Sequence, residues 1–355
     1  MNVIDWCERG YVPDALARIG MRQLMKRRLV DEANQEGEIR SQRFNRFLAE
    51  LRASPIAIET SAANEQHYEV PAEFFHLHLG PRLKYSCALY PTGSETLAEA
   101  EERMLDLYAE RAELVDGQRM LDVGCGWGSL SLWLAERFPK SEVVGLSNSH
   151  GQRQFILARA AERGLKNLRI VTGNIVDFEF PADGIEPGPS TALGTGFDRV
   201  LSIEMFEHMK NYGLLLAKIA RWMRPEAKLF VHIFAHKLLA YHFQVANQTD
   251  WMSQYFFTGG TMPSENLLLN FQDDVRIEQQ WWVSGTHYER TSNHWLAGMD
   301  ANRERIMAVF RDAYGADQAA IWFQRWRMFY MAVAELFGYS GGNEWGVAHY
   351  RFARR

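Results

Sequence analysis

Cysteine is scarce in this sequence. Cys7, Cys87 and Cys125 are the only three among 355 residues. An odd, sparse set builds no disulfide framework and suits a reducing, cytoplasmic compartment. A basic excess is missing as well. The formal net charge of −5 argues against the basic footprint of a nucleic-acid binder. No apolar run approaches the ~20 residues that a membrane helix needs, so no stable membrane insertion is expected. The first residues, MNVIDWCERGY, lack the basic-then-apolar order of a signal peptide. No stretch repeats another.

What is present is a large apolar share, 47%, with 13% aromatic residues and eleven tryptophans. The length suggests two domains, or one domain with large additions. Residues 1–65 read as a helical arm with polar breaks. Within LARIGMRQLMKRRLV, Leu16, Ile19, Leu24 and Leu29 fall near one side, interleaved with Arg18, Arg22, Lys26, Arg27 and Arg28. This pattern predicts a helix packed on the body with a solvated basic face; a surface for anionic lipid is the alternative. The arm is also a candidate contact for a homodimer.

From residue 119 the rhythm changes. RMLDVGC (119–125), EVVGLS (142–147), LRIVTGN (168–174), FDRVLSI (197–203) and AKLFVHIF (227–234) read as strands. SLSLWLAERF, QRQFILARAAERG and the stretch after Phe206 read as helices. Such alternation predicts an α/β fold with a parallel, doubly wound, Rossmann-like sheet. The core is expected over 66–235. VRIEQQWWV (275–283) and WGVAHYRF (345–352) are expected as added edge strands. PADGIEPGPSTALGTG (181–196) reads as a loop. The aromatic-rich stretch 236–340 reads as a substrate-binding cap, and 341–355 as a last core strand.

LDVGCGWGSL places Gly124, Gly126 and Gly128 between a strand and a helix. Glycines there allow a tight turn and let a ligand lie on bare backbone. Dinucleotide sites carry an acid at the end of the second strand; here that strand ends in Ser147, Asn148 and Ser149. Asp122, just before the loop, suits an ammonium group held directly or through water. These features favour S-adenosylmethionine (SAM) over NAD. Asn148 and Gln152 suit the ribose hydroxyls, and Asn174 the adenine edge. A bare strand–helix turn is the bland alternative.

KYSCALY (84–90), LDVGCGWGSL, SIEMFEHMKNY, FVHIFAHK (230–237) and FFTGGTMPS (256–264) occur in one order. From about residue 70 onward, including FQDDV, HYERTSNHW and LFGYSGGNEW, the chain resembles the coclaurine N-methyltransferase family. That family lies within the cyclopropane fatty acid synthase group of SAM-dependent methyltransferases. The resemblance implies a class I methyltransferase fold, SAM as donor, and a small, tetrahydroisoquinoline-like amine as acceptor. It also implies that Tyr85 and Ser86 lie near the amino-acid end of SAM. Gly124 and Gly126 would form the glycine loop. Asn148, Gln152, Asn174 and Ile175 would serve the nucleoside, and Glu204, Glu207 and His208 the acceptor.

The last trio makes chemical sense. An alkylamine with a pKa near ~10 is mostly a cation at neutral pH and has no lone pair to offer. Carboxylates attract the cation; a histidine, with an ordinary pKa of about 6.5, suits removal of its proton. If the chain turned helical after the strand, Glu204, Glu207 and His208 would stand at i, i+3 and i+4 on one face. A capping acid on a solvated helix is the bland alternative. His232 could face the same site from a strand end. His236 and His242 read as hydrogen-bonding residues of the cap. Glu204, His208 and His232 lack the tight spacing of metal ligands, so no metal is expected.

Trp322, Trp326, Phe329, Tyr330 and Val333 recur at helical spacing. They form core, a wall over the acceptor, or both. Thr258–Gly259–Gly260–Thr261 is a candidate bending loop, and Tyr288 a candidate pocket residue. Two competing functions follow. One is a lipid methyltransferase or cyclopropane synthase holding bicarbonate through Cys87, Glu207, His232 and Tyr288. Against it, Phe234 stands where that group carries isoleucine, and Glu204 where it carries a small or uncharged residue. The other is a SAM-binding module without catalysis.

Overall fold

The β-branched runs become the strands of one sheet. The computed structural model describes residues 3–33, 37–58, 71–180, 196–243, 245 and 250–355. The stretch 181–195, predicted as a loop, lies outside the described residues. The arm contributes α1 (Val3–Glu8), α2 (Asp14–Ala33) and α3 (Gly37–Ala53), followed by α4 (Ala72–His76) and α5 (Leu97–Arg111). The core continues as β1 (Arg119–Val123), α6 (Ser129–Arg137), β2 (Glu142–Ser147), α7 (His150–Glu162), β3 (Leu168–Thr172), β4 (Phe197–Ile203), α8 (Tyr212–Trp222) and β5 (Met223–His236). The remainder comprises β6 (Tyr241–His242), α9 (Trp251–Tyr255), β7 (Thr261–Met262), β8 (Val275–Val283), α10 (Gly285–Ala301), α11 (Arg303–Tyr314), α12 (Ala316–Gly338) and β9 (Trp345–Arg354).

The seven-stranded sheet runs β3-β2-β1-β4-β5-β9-β8. Its first five strands pair in parallel, while β9 is antiparallel to both of its neighbours. The sheet is therefore mixed, and only β8 is the added edge strand. β9 lies inside because its run Trp345–Tyr350 is buried throughout. Along the strands, alternate residues feed two cores. Met120, Val143 and Phe230 enter one; Leu121, Val144 and Leu229 enter the other. Burial on both faces explains why these strands read as continuous apolar runs.

Strand order reverses between β1 and β4. In doubly wound sheets, ligands bind outside the carboxyl ends of strands at such a switch point. The glycine loop follows β1 and Glu204 follows β4, so the topology alone brings the two sequence motifs to one crevice.

The arm packs on the body as expected, with Leu29 against the core, but its buried stripe is rotated from the expected one. Ala17 and Met25 are buried and Met21 packs against the core, whereas Leu16 and Ile19 are 58% and 47% exposed. Arg18 turns inward, while Arg22, Lys26 and Arg27 stay exposed. Arg18 Nη1 donates to Glu335 Oε1 at 2.9 Å and its Nη2 to Asn293 Oδ1 at 2.8 Å. Arg22 also pairs with Glu335. A carboxylate supplied by α12, 317 residues along the chain, decides which side of α2 is buried.

Gly285 opens α10. A Cβ there would lie 2.1 Å from the carbonyl oxygens of Phe337 and Trp345. Backbone cannot yield as a side chain can. Gly285→Ala is therefore expected to destabilise the fold by about 1–3 kcal/mol or more, read as a lower midpoint in urea denaturation.

Candidate active site

The glycine loop is a sequence of backbone constraints. Gly124, Gly126 and Gly128 all have positive φ, at 84°, 51° and 82°. A Cβ on Gly128 would meet Ile156 Cγ1 at 2.6 Å, whereas one on Gly126 would enter open space. Around the loop lie buried polar atoms without a partner among the described residues: Asp122 Oδ1, Ser129 Oγ, Gln152 Nε2 and Thr172 Oγ1. Such atoms are costly unless a ligand or water satisfies them. The Gln152 amide is held in place, since Ser147 Oγ donates to its Oε1 at 2.7 Å. Asn148 is exposed beside it and Ile175 is buried. Asn174 Oδ1 accepts the Val176 N–H at 3.0 Å. A nucleoside ligand with several hydroxyl and amine groups fits this set.

Asp122 is turned away from the expected ammonium position on one side. Its Oδ2 accepts the Ser131 hydroxyl at 2.7 Å. Burial pushes its pKa up to about 7.

The acid–histidine segment is not one helix. β4 ends at Ile203, and Glu204 takes the left-handed conformation, with φ 48°. A short 3₁₀ turn, Phe206–His208, follows, and α8 begins at Tyr212. Glu204, Glu207 and His208 nonetheless line one cavity of about 1370 Å³, together with Tyr85, Tyr288 and Phe329. A non-glycine residue in the left-handed region stores strain and persists only where its surroundings over-determine it. Here they do. Glu204 N–H donates to the His232 carbonyl at 2.9 Å. Its Oε1 accepts from the Cys87 N–H at 2.9 Å and from His232 Nε2 at 3.0 Å; its Oε2 accepts from the Tyr288 hydroxyl at 2.6 Å.

Known proteins share this architecture. A profile of the mycolic acid cyclopropane synthetase family matches residues 57–338. (S)-Coclaurine N-methyltransferase of Thalictrum flavum subsp. glaucum is 37% identical over 359 aligned residues, covering 100% of this chain and 96% of the relative. The chain belongs to the coclaurine N-methyltransferase family. It is a SAM-dependent N-methyltransferase. A crystal structure of coclaurine N-methyltransferase, bound to N-methylheliamine and S-adenosylhomocysteine (SAH), superposes with a TM-score of 0.93 at 35% identity, covering 99% of each chain. The cyclopropane-fatty-acyl-phospholipid synthase of Escherichia coli K12 is more distant, 28% identical over 269 residues, 75% of this chain and 62% of the relative.

In this N-methyltransferase the two carboxyl groups have different environments. Burial raises the pKa of both. Glu204 is held down by the charge of Lys84 and by the donors from Tyr288 and Cys87. Glu207 is also pushed up by the charge of Glu204, and its Oε2 has no partner among the described residues. Both shifts are upward, and Glu207 is pushed further than Glu204. His208 presents its ring nearly parallel to Phe257, with centroids 6.0 Å apart.

Other expected residues have different places. His232 is fully buried and reaches the site only through Glu204. Trp326 is also fully buried and packs edge-on against Phe256; it belongs to the core, and Phe329 alone of the pair lines the cavity. The aromatic stripe is thus core along one side and wall along another. Ser86 Oγ accepts from Lys84 Nζ at 2.6 Å. His236 Nδ1 accepts the N–H groups of Leu238 and Leu239, both at 2.9 Å. The TGGT loop is tied down by Lys210, whose Nζ donates to the Gly260 carbonyl at 3.0 Å and to Thr261 Oγ1 at 2.9 Å.

Sequence reasoning missed Lys84 and Tyr108. Lys84 is buried with its Nζ 5.1 Å from the centre of the Tyr108 ring, and burial lowers its pKa to about 8. A lysine inside the apolar motif KYSCALY was the available signal. Tyr108 lies in an amphipathic helix and carries no such signal.

Proposed function

We propose that this enzyme transfers the methyl group of SAM to the nitrogen of a small, ring-bearing amine of tetrahydroisoquinoline type. The amine enters as an ammonium ion. Bound SAM supplies a methyl group activated on a sulfonium. The amine lone pair forms the new N–C bond as the C–S bond breaks, and that electron pair stays on sulfur, leaving SAH. Glu204 attracts and orients the cation. His208 accepts the nitrogen's proton, with Glu207 as relay. Tyr85, Ser86, Gly124, Gly126, Asn148, Gln152, Asn174 and Ile175 hold the cofactor. Phe329 and Tyr288 form walls whose ring faces suit a cation and flat rings. Residues 1–65 serve as arm, 66–235 with 341–355 as cofactor core, and 236–340 as cap. The three free thiols suit a cytoplasmic enzyme.

The observation that carries this reading is a buried carboxyl group at the cavity wall on which three donors converge. The lipid alternative would place bicarbonate among Cys87, Glu207, His232 and Tyr288. Here the Glu204 carboxylate already takes the donors of Cys87, His232 and Tyr288, so the protein's own anion fills that position. Incubation with labelled SAM and either 1-substituted tetrahydroisoquinolines or unsaturated phospholipid separates the readings. A singly N-methylated amine by mass spectrometry is expected; label only in lipid would overturn the proposal.

Tyr288→Phe removes one of the three donors. Hydrogen bonds to charged groups contribute ~1.5–3 kcal/mol. The variant is therefore expected to lose about ten- to hundredfold in kcat/KM, checked by initial rates across amine concentrations.

A further inference from the structure

Behind Glu204 lies a buried chain of polar groups that the reaction as described does not use. His232 and His349 face each other directly in the β5–β9 ladder. His349 Nε2 is 2.8 Å from His232 Nδ1, and Arg111 Nη1 is 2.6 Å from His349 Nδ1. Both imidazoles are fully buried. Arg111 stands in the last turn of α5, with its guanidinium 4.9 Å from the centre of the Trp281 ring.

Hydrogen-bond chemistry permits one proton pattern. A guanidinium only donates. His349 Nδ1 must therefore accept, and its proton sits on Nε2. That N–H donates to His232 Nδ1. The His232 proton is then on Nε2, where it donates to Glu204 Oε1 at 3.0 Å. The reverse tautomer of His232 would set two N–H groups against each other at one end and a bare nitrogen against a carboxylate at the other. The Tyr108 hydroxyl, which can donate or accept, lies 2.9 Å from the same nitrogen and does not itself fix the tautomer.

We propose that Arg111 and His349 are positioning residues for methyl transfer: through His232 they fix the tautomers that present an N–H to Glu204 and aim its carboxyl group at the cavity. The proposal rests on Glu204 as the anion that receives the ammonium. Aligned N–H dipoles point from the Arg111 cation toward the Glu204 anion, and in a low-dielectric interior such chains polarise one another. Other groups face this chain too. Lys84, Cys87, Tyr108, Glu207 and Tyr288 surround Glu204, and Lys84 also faces His349. Those groups are the same in every variant below.

Arg111→Met removes the cation and keeps a similar stem; Arg111→Lys restores a charged donor. Loss of the charge makes Glu204 harder to ionise. The acid limb of the kcat/KM profile should then move to higher pH, and kcat/KM at neutral pH should fall about ten- to hundredfold. Arg111→Lys should recover most of both. An effect on packing alone would lower thermal stability and leave the acid limb in place. Nitrogen-15 NMR of the SAH-bound, histidine-labelled enzyme reads the tautomers without any amine. It is expected to show His232 and His349 protonated on Nε2. A proton on His232 Nδ1, or an Arg111→Met enzyme within twofold of the parent with its acid limb unmoved, overturns the proposal. Failure of the parent enzyme to methylate amines would instead overturn the functional reading, and the NMR result would still decide the chain.

Discussion

Glu204→Gln is expected to lower kcat/KM by about 10²–10³-fold while SAH affinity, read by calorimetry, stays within a few-fold. Removing one partner from a buried, hydrogen-bonded charge pair costs ~2–5 kcal/mol, and the ammonium ion loses its counter-charge. The amide also fits its surroundings poorly. The Cys87 N–H, His232 Nε2–H and Tyr288 O–H all point at the carboxylate, and a glutamine offers them one oxygen and an NH₂ group. With its oxygen at the position shared by Cys87 and His232, its NH₂ would face Tyr288, whose hydroxyl must turn from donor to acceptor, so a stability loss of about 1–3 kcal/mol should accompany the kinetic one. Glu204→Gly supplies the control. Glycine adopts positive φ without penalty, so the backbone strain at φ 48° is relieved. The three donors would then face an open space sized for a small carboxylate. Added formate or bicarbonate should restore part of the lost rate in this variant and none in the parent. A Glu204→Gln enzyme with near-parental turnover would remove the basis of the functional proposal.

The second large effect is expected at His208. Its replacement by alanine should reduce kcat/KM at pH 7 by about 10²–10⁴-fold, the usual contribution of a positioned base. The sign of the pH dependence identifies the cause. Without a base in the site, the reaction draws on amine already neutral in solution. That fraction rises tenfold per pH unit until the amine's own pKa near ~10. The variant should therefore gain on the parent as pH rises, and the gap should narrow steadily. Glu207 adds a further distinction. Burial and the Glu204 charge raise its pKa well above the ordinary carboxyl value. An arriving cation lowers that pKa, and in the proposed relay Glu207 passes a proton to His208 as it takes one from the amine nitrogen. The double variant Glu207→Gln/His208→Ala should abolish turnover with SAH binding intact. A loss in His208→Ala that stays constant from pH 7 to 10 would mean that His208 orients the substrate and takes no proton.

The strands were legible because a parallel strand buried on both faces must be apolar along its whole length. EVVGLS and FDRVLSI match β2 and β4 end to end. The glycine loop and the acid–histidine segment were legible because each needs unusual residues at short spacing. The local conformation of that segment was not. Three ionisable groups at helical spacing suggested a helix, yet Glu204 turns back at positive φ to reach donors from three different elements. No short-range rule contains that requirement. The arm was misread for a related reason. Leu16, Ile19 and Leu24 were assigned to the core and are exposed, while Arg18, assigned to solvent, turns inward to pair with Glu335.

The sequence by itself determined the order of strands and helices, the loop that receives the cofactor, and the identity of the acid–histidine trio. These are written in local residue patterns, where periodicity and backbone freedom act over a few positions. Only the tertiary structure decided that three donors converge on Glu204, that His232 stands behind it, and that Arg111 and His349 stand behind His232. Those facts depend on strand register and on the low dielectric of a sheet interior, which arise when residues from 28 to 238 positions apart become neighbours.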